Sequence, residues 1–213
     1  AAIDTGVGGD RARIPDTALD SVLQAPDVEA AEGVIYGPAQ LVAPDGDAVE
    51  AAIPLGMSWG AADQLSVLSL AEGDRPQADG QVAVDVSTAS VYDIEVGDTV
   101  DVLFFGPAEK FEVVGLLDYA GSSSRAFSAV AAFDTATAQR VLNAPNQFDL
   151  IAVQGTEGID TETLQRSVAT VVGTDLADAY RGLVVLAESS GVLRDLRAAL
   201  VDLGLRLGVA GTD

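Results

Sequence analysis

The sequence predicts an α+β fold: a split α/β lobe, a β-rich lobe inserted into it, and a C-terminal helix that stands apart. Three observations predict it. A helix-then-strand pattern near the N-terminus is echoed by a strand–helix–strand pattern after residue 146. Between them, EGDRPQADGQVAVDVSTASVYDIEVGDTVDVLFFGPAEKFEVVG (Glu72 to Gly115) is cut by Gly73, Gly80, Gly97 and Gly106 into short alternating or β-branched segments, a pattern of strands and tight turns. Finally, Leu186, Leu193, Leu196, Leu200, Leu203 and Leu207 fall on a seven-residue repeat, with Ser189 at the missing position. A split layer carrying an insertion is the simplest arrangement of that order. It assigns residues 1–46 plus 146–185 to the split lobe, 47–145 to the insert and 186–207 to the helix.

Each element has a local reason. Thr5 to Asp10 is Gly-rich linker. Ile14-Pro15-Asp16 opens a helix, since Pro is tolerated in the first turn and acids favour the positive helix end. Ala18, Leu19, Val22 and Leu23 form its apolar face and Pro26 stops it. Val28 to Val42 reads as β, interrupted by Gly37-Pro38. The turn Pro44-Asp45-Gly46-Asp47 then leads to a strand over Val49 to Leu55. Gly56 to Gly73 reads as loop and short helix. Val82, Val84 and Val86 alternate, and a short helix over Ser87 to Val91 follows. Val100, Val102 and Phe104 share a face with Phe111, Val113 and Leu117 across the Gly106-Pro107 turn, so Thr99 to Leu117 reads as a hairpin. Phe127 to Phe133 is a strand, and Asp134 or Thr135 caps a helix to about Leu142. Leu150 to Val153 is a strand, and Asp160 or Thr161 caps a helix with Leu164, Val168, Val171 and Val172 on one face. A strand near Leu176 to Tyr180 completes the layer.

Composition narrows the function. A hydrophobic fraction of 48% with 21% charged residues fits a globular chain rather than a disordered one. Acids outnumber bases 33 to 11, and the net charge of −22 argues against nucleic acid or anionic lipid headgroups as partners of this surface. There is no cysteine and no histidine, which removes disulfides, thiol chemistry, His-dependent triads and imidazole metal ligands. No run of about 18 apolar residues occurs that would span a membrane. Ala1 reads as the start of a cut fragment.

No constellation of residues reads as a catalytic site. Lys110, the sole lysine, lies beside Glu109 and Glu112, where charge pairing keeps it protonated and unfit to activate Ser122, Ser123 or Ser124. Asp45, Asp47 and Glu50 offer oxygen ligands but lack the spacing of a calcium loop, and Gly6 to Gly9 lacks the GK[ST] of a phosphate loop. The expectation is therefore no enzyme, no cofactor and no metal. Met57 and Trp59, in a Gly/Ala-flanked segment, either plug the core or form an exposed contact for a partner or apolar cargo. The loop with Ser122, Ser123 and Arg125 is either a plain connection or a contact tip. The leucine seam either lies on the domain's own core or packs against a helix outside this sequence.

The order L-x-E-G-x-x-P-x-x-x-G-x-V-x-V-D, then V-G-D-x-V-x-V, then F-x-V-V-G resembles the extracytoplasmic domain of MacB/FtsX-type ABC transporter permeases. IPDTALDSVLQAPDVEAAEG (Ile14 to Gly33), AAFDTATAQRVL (Ala131 to Leu142) and FDLIAVQGTEGID (Phe148 to Asp160) extend the likeness. The resemblance implies a porter-like split lobe, a sabre-like β-rich insert and a stalk helix. It implies an extracytoplasmic place at the plasma membrane, between two membrane helices of a homodimeric permease powered by a separate cytoplasmic ATPase. It also implies a role in mechanotransmission or in export of lipid, lipoprotein or peptide cargo. The closing GVAGTD departs from the apolar span expected there. A freestanding secreted binding or adhesion module without catalysis is the alternative, and a hydrolase using acids alone is a third.

Overall fold

The computed structural model describes residues 13–119, 128–172 and 183–186. Ile14–Pro15 (β1) leads into helix α1 (Thr17–Leu23), which buries Ala18 and Val22 but leaves Leu23 at the surface. Strand β2 (Val28–Val34) follows, then the short segments β3 (Tyr36–Pro38) and β4 (Gln40–Val42), parted only by Ala39. After the turn, where Gly46 adopts φ +93° and Asp45 accepts the Asp47 N–H, the chain forms β5 (Ile53–Ser58). A single 3-10 turn at Asp63–Leu65 precedes β6 (Leu68–Gly73).

The next unit is β7 (Gln81–Asp85), α2 (Val86–Val91), β8 (Thr99–Leu103) and β9 (Glu109–Tyr119). Asp85 caps α2 by accepting the Thr88 N–H. Strand β10 (Ser128–Phe133) runs into α3 (Thr135–Val141), capped by Asp134 through the N–H groups of Ala136 and Thr137. The short β11 (Gln147–Phe148), then β12 (Leu150–Gly155), helix α4 (Thr161–Val172) and β13 (Leu183–Leu186) complete the described chain. Asp160 accepts the Thr163 N–H at the start of α4. That bond lowers the pKa of the Asp160 carboxyl, because it favours the charged form.

The larger sheet runs β3-β5-β10-β7-β9-β8-β4, with β6 on the second half of the β9 edge. Its two end strands are consecutive in sequence, so the sheet curls until its ends meet at Ala39. Most neighbours are antiparallel, but β5–β10 and β7–β9 are parallel. The curl encloses Leu41, Val82, Val84, Val100, Val102 and Val113 with a trio of rings, Phe104, Phe111 and Phe133, at centroid separations of 5.0–6.0 Å. The smaller sheet has the order β13-β12-β2. Ile151 and Val153 of β12 join Val22, Leu164 and Val168 of the two helices in the same continuous core. Gly33 has no Cβ because the Phe148 ring occupies that space.

The α+β class holds, but Ile14–Pro15 forms a short strand rather than opening a helix, Gln147–Phe148 adds an unexpected one, and five further details differ. Residues 36–42 pair with β5 and β8 of the larger sheet, not with the split layer. The strand expected from Val49 begins at Ile53, and Gly56 to Gly73 contains parts of two strands rather than loop and helix. Gly56 serves close packing, since a Cβ there would lie 2.7 Å from Ala39 Cβ. Leu117 does not share the face of Phe111 and Val113. The β7–β9 register shifts as Val82 pairs with Val113 and Ala83 with Gly115. A bulge of this kind swaps faces, and Leu117 joins the outer cluster. Last, Leu186 ends a strand paired in parallel with Gln154 rather than opening a helix. Leu183-Val184-Val185-Leu186 is the continuous apolar run of a parallel strand, which the leucine spacing masks. The strand expected over Leu176 to Tyr180 lies outside the described residues.

Candidate functional site

The outer face of the curled sheet and one face of the three-stranded sheet approach each other and leave an apolar cleft between them. Val34 of β2 and Leu150 of β12 supply one wall; Leu55 and Met57 of β5 supply the other, with Leu68 and Tyr119 closing one side. The cleft is narrow, with a cavity volume of about 40 Å³. Its lining, apolar with a few polar groups, has the chemistry of a binding site, but the space is far smaller than a drug-sized ligand needs. The polar groups here are Ser58, Ser66 and the carboxylate of Glu32.

Glu32 is held by the segment after β5. Its carboxylate accepts backbone N–H bonds from Ala62 and Gly60. A Cβ on Gly60 would overlap that carboxylate, so glycine is required for the approach. Burial pushes the pKa of Glu32 up; the bond from Ala62, the charge of Arg75 and the bond from Gly60 oppose the rise. Arg75 lies over the Trp59 ring, 4.9 Å from its centroid, donates to the Gly60 carbonyl at 3.3 Å and pairs with Asp63. The acid thus binds the smaller sheet to the loop that leaves the larger one.

The structure sorts the residues expected to make contacts. Met57 lies in β5 with 6% of its surface exposed and lines the cleft. Trp59 is 3% exposed, anchored by its backbone N–H to the Phe133 carbonyl at 2.7 Å. Of the two readings for this pair, the core plug describes Trp59, and neither side chain projects from a loop. Ser122, Ser123 and Arg125 lie outside the described residues, as do Leu193, Leu196, Leu200, Leu203 and Leu207 of the leucine seam. Lys110 pairs with Asp101 at 3.0 Å, across the hairpin. Among the described residues no acidic group forms a metal-binding cluster, Asp45, Asp47 and Glu50 included. Glu32 was missed: a single acid in a run of small strand residues carries no local signal, and its partner Gly60 lies far along the chain.

Among the described residues no helix is long and apolar enough to cross a membrane. The fold is similar to that of the periplasmic region of MacB from Actinobacillus actinomycetemcomitans, with 12% identity and a TM-score of 0.57 over 84% of this chain and 82% of that one. It is also similar to the extracellular domain of the noncanonical ABC-type transporter YknZ from Gram-positive bacteria, with 10% identity and a TM-score of 0.55 over 76% and 84% of the two chains. No curated protein sequence matches the chain. The model of the MacB-like periplasmic core domain matches residues 2–171. With four-fifths of its length so matched and the fold in agreement, the chain belongs to the family of MacB-like periplasmic core domains.

Proposed function

We propose that this domain carries ATP-driven movement of a permease's membrane helices outward, to expel cargo or to act on an extracytoplasmic partner. The family match is the observation that carries this reading. The topology supports it. Helix α1 and strand β2 from the start of the chain share a layer with β12, α4 and β13 from its end. That arrangement is compatible with a domain held between two membrane helices. In this reading the three-stranded sheet with its helices is the porter-like lobe and the curled sheet is the sabre-like lobe. The permease is a homodimer, and nucleotide chemistry belongs to a separate cytoplasmic ATPase, so the domain itself is not an enzyme. The Met57-lined cleft is the place where an apolar part of a lipid, lipoprotein or peptide cargo would touch it.

These 213 residues contain no cysteine, so a single cysteine placed here reports on this domain once any cysteine elsewhere in the full-length protein is replaced by serine. Phe105→Cys, at the exposed tip between β8 and β9, is introduced into the full-length gene product in intact cells. A membrane-impermeant maleimide labels it there without lysis, and the protein sediments with membranes. Labelling only after lysis overturns the placement, and a labelled protein released into the medium favours the freestanding secreted module.

A further inference from the structure

We propose that the outer edge of β6 is a strand-addition site for an extended partner segment that alternates apolar and basic residues. Among the described residues β6 pairs only with β9, and every residue after Leu68 is exposed. A sheet edge in this state presents unpaired N–H and C=O groups to any compatible strand. The register fixes which side chains an added strand would meet. Leu70 sits opposite Leu117, a member of the outer apolar cluster, yet is 44% exposed. Ser69 opposite Asp118 and Glu72 opposite Leu116 share the other face. Glu72 and Asp118 are exposed and have no cationic partner among the described residues. An open groove lined by Ser69, Leu70, Asp74 and Arg75, the last paired with Asp63, lies beside the strand.

These faces select the occupant. An apolar residue covers Leu70, and its sequence neighbours lie on the face that carries Glu72 and, one strand further in, Asp118, carboxylates that long basic side chains neutralise. A second copy of the same edge would set acid against acid in a chain of net charge −22, so self-pairing is disfavoured and a basic partner favoured. The bulge after Leu70 limits the run of ladder on this edge, which suits a reversible contact. The site does not depend on the transport reading.

The test uses the 213-residue chain and end-blocked peptides of about eight residues, long enough for one strand. One alternates Val and Arg, a second has the same composition in two blocks, and a third alternates Val and Glu. Amide hydrogen exchange at Ser69 to Glu72 and peptide fluorescence anisotropy are the readouts. The alternating basic peptide slows exchange at these amides several-fold, and Glu72→Lys and Asp118→Lys each weaken its binding by about fivefold or more. Both positions are exposed, and circular dichroism checks that the variants fold. Unchanged exchange at β6, equal binding of the block peptide, or affinities indifferent to both substitutions overturns the proposal.

Discussion

Asp85 closes β7, caps α2 and reaches across to β10, so its removal tests the packing account in one residue. One carboxylate oxygen accepts the Thr88 N–H at 2.9 Å together with the Ser87 hydroxyl, and the other accepts the Val130 N–H at 2.8 Å. The side chain is 3% exposed, so water cannot replace it. Asp85→Ala removes a helix cap worth about 1 kcal/mol. It also leaves the buried Val130 N–H without an acceptor, at about 1–3 kcal/mol. The sum is about 2–4 kcal/mol, or a fall in Tm of roughly 4–16 °C for a chain of this size. Asp85→Asn keeps one acceptor but turns an NH2 group toward a remaining N–H donor, so it retains less than half the stabilisation. Urea denaturation followed by the single tryptophan, Trp59, measures both. An Asp85→Asn protein within about 0.5 kcal/mol of the parent refutes the reasoning, because that is the range of an ordinary surface change.

Other substitutions separate buried from exposed roles. Gly73 and Gly115 face each other where β6 leaves β9, and a Cβ on Gly115 would run into the Asp74 carbonyl and lie 3.0 Å from that of Glu72. Backbone cannot move aside as a side chain would, so Gly115→Ala costs about 2–3 kcal/mol by the urea midpoint; a shift within about 0.5 kcal/mol contradicts it. Phe133→Ala costs about 3–5 kcal/mol in the same assay, whereas Phe105→Ser, at a residue 69% exposed, stays within about 0.5 kcal/mol. Equal effects would contradict the assigned burial. For Glu32 the prediction is a pH trend. Its carboxyl has a raised pKa in the folded state, so the native protein takes up this proton before the unfolded chain does. Ionisation of Glu32 therefore costs stability at neutral pH, and the cost vanishes as pH falls through the raised value. Relative to the parent, Glu32→Gln is at its best near pH 7 and loses that advantage toward about pH 4. A difference that is flat or grows on acidification contradicts the burial argument.

Much of the β-rich insert was legible because alternation is local. Val82 and Val84, Val100 and Val102, and Phe111 and Val113 all point into the curl as their spacing implies. The caps at Asp134 and Asp160 were equally readable, since an acid before a helical run has few other uses. What failed was non-local. The β9 bulge that turns Leu117 outward depends on the register with β7, which no window of sequence contains. Gly56 punctuates the sequence like a turn, but in the structure it lets β5 lie close to Ala39. Tyr36 to Val42 reads as an extended piece of either sheet, and only the pairing partners β5 and β8 decide. The cleft draws on five strands and the Gly60 to Leu68 segment, so it emerges from topology alone.

The central claim is that ATP binding elsewhere in the assembled permease moves this domain as one body. Pulsed electron–electron spin-resonance distances test it directly, in the full-length protein reconstituted with its ATPase. Leu23→Cys on α1 and Phe105→Cys at the hairpin tip are exposed label positions on the two sheets' sides of one continuous core. Within a protomer the Leu23–Phe105 distance stays the same with and without trapped ATP, while the distance between equivalent labels on two protomers changes. An unchanged distance between protomers contradicts the account.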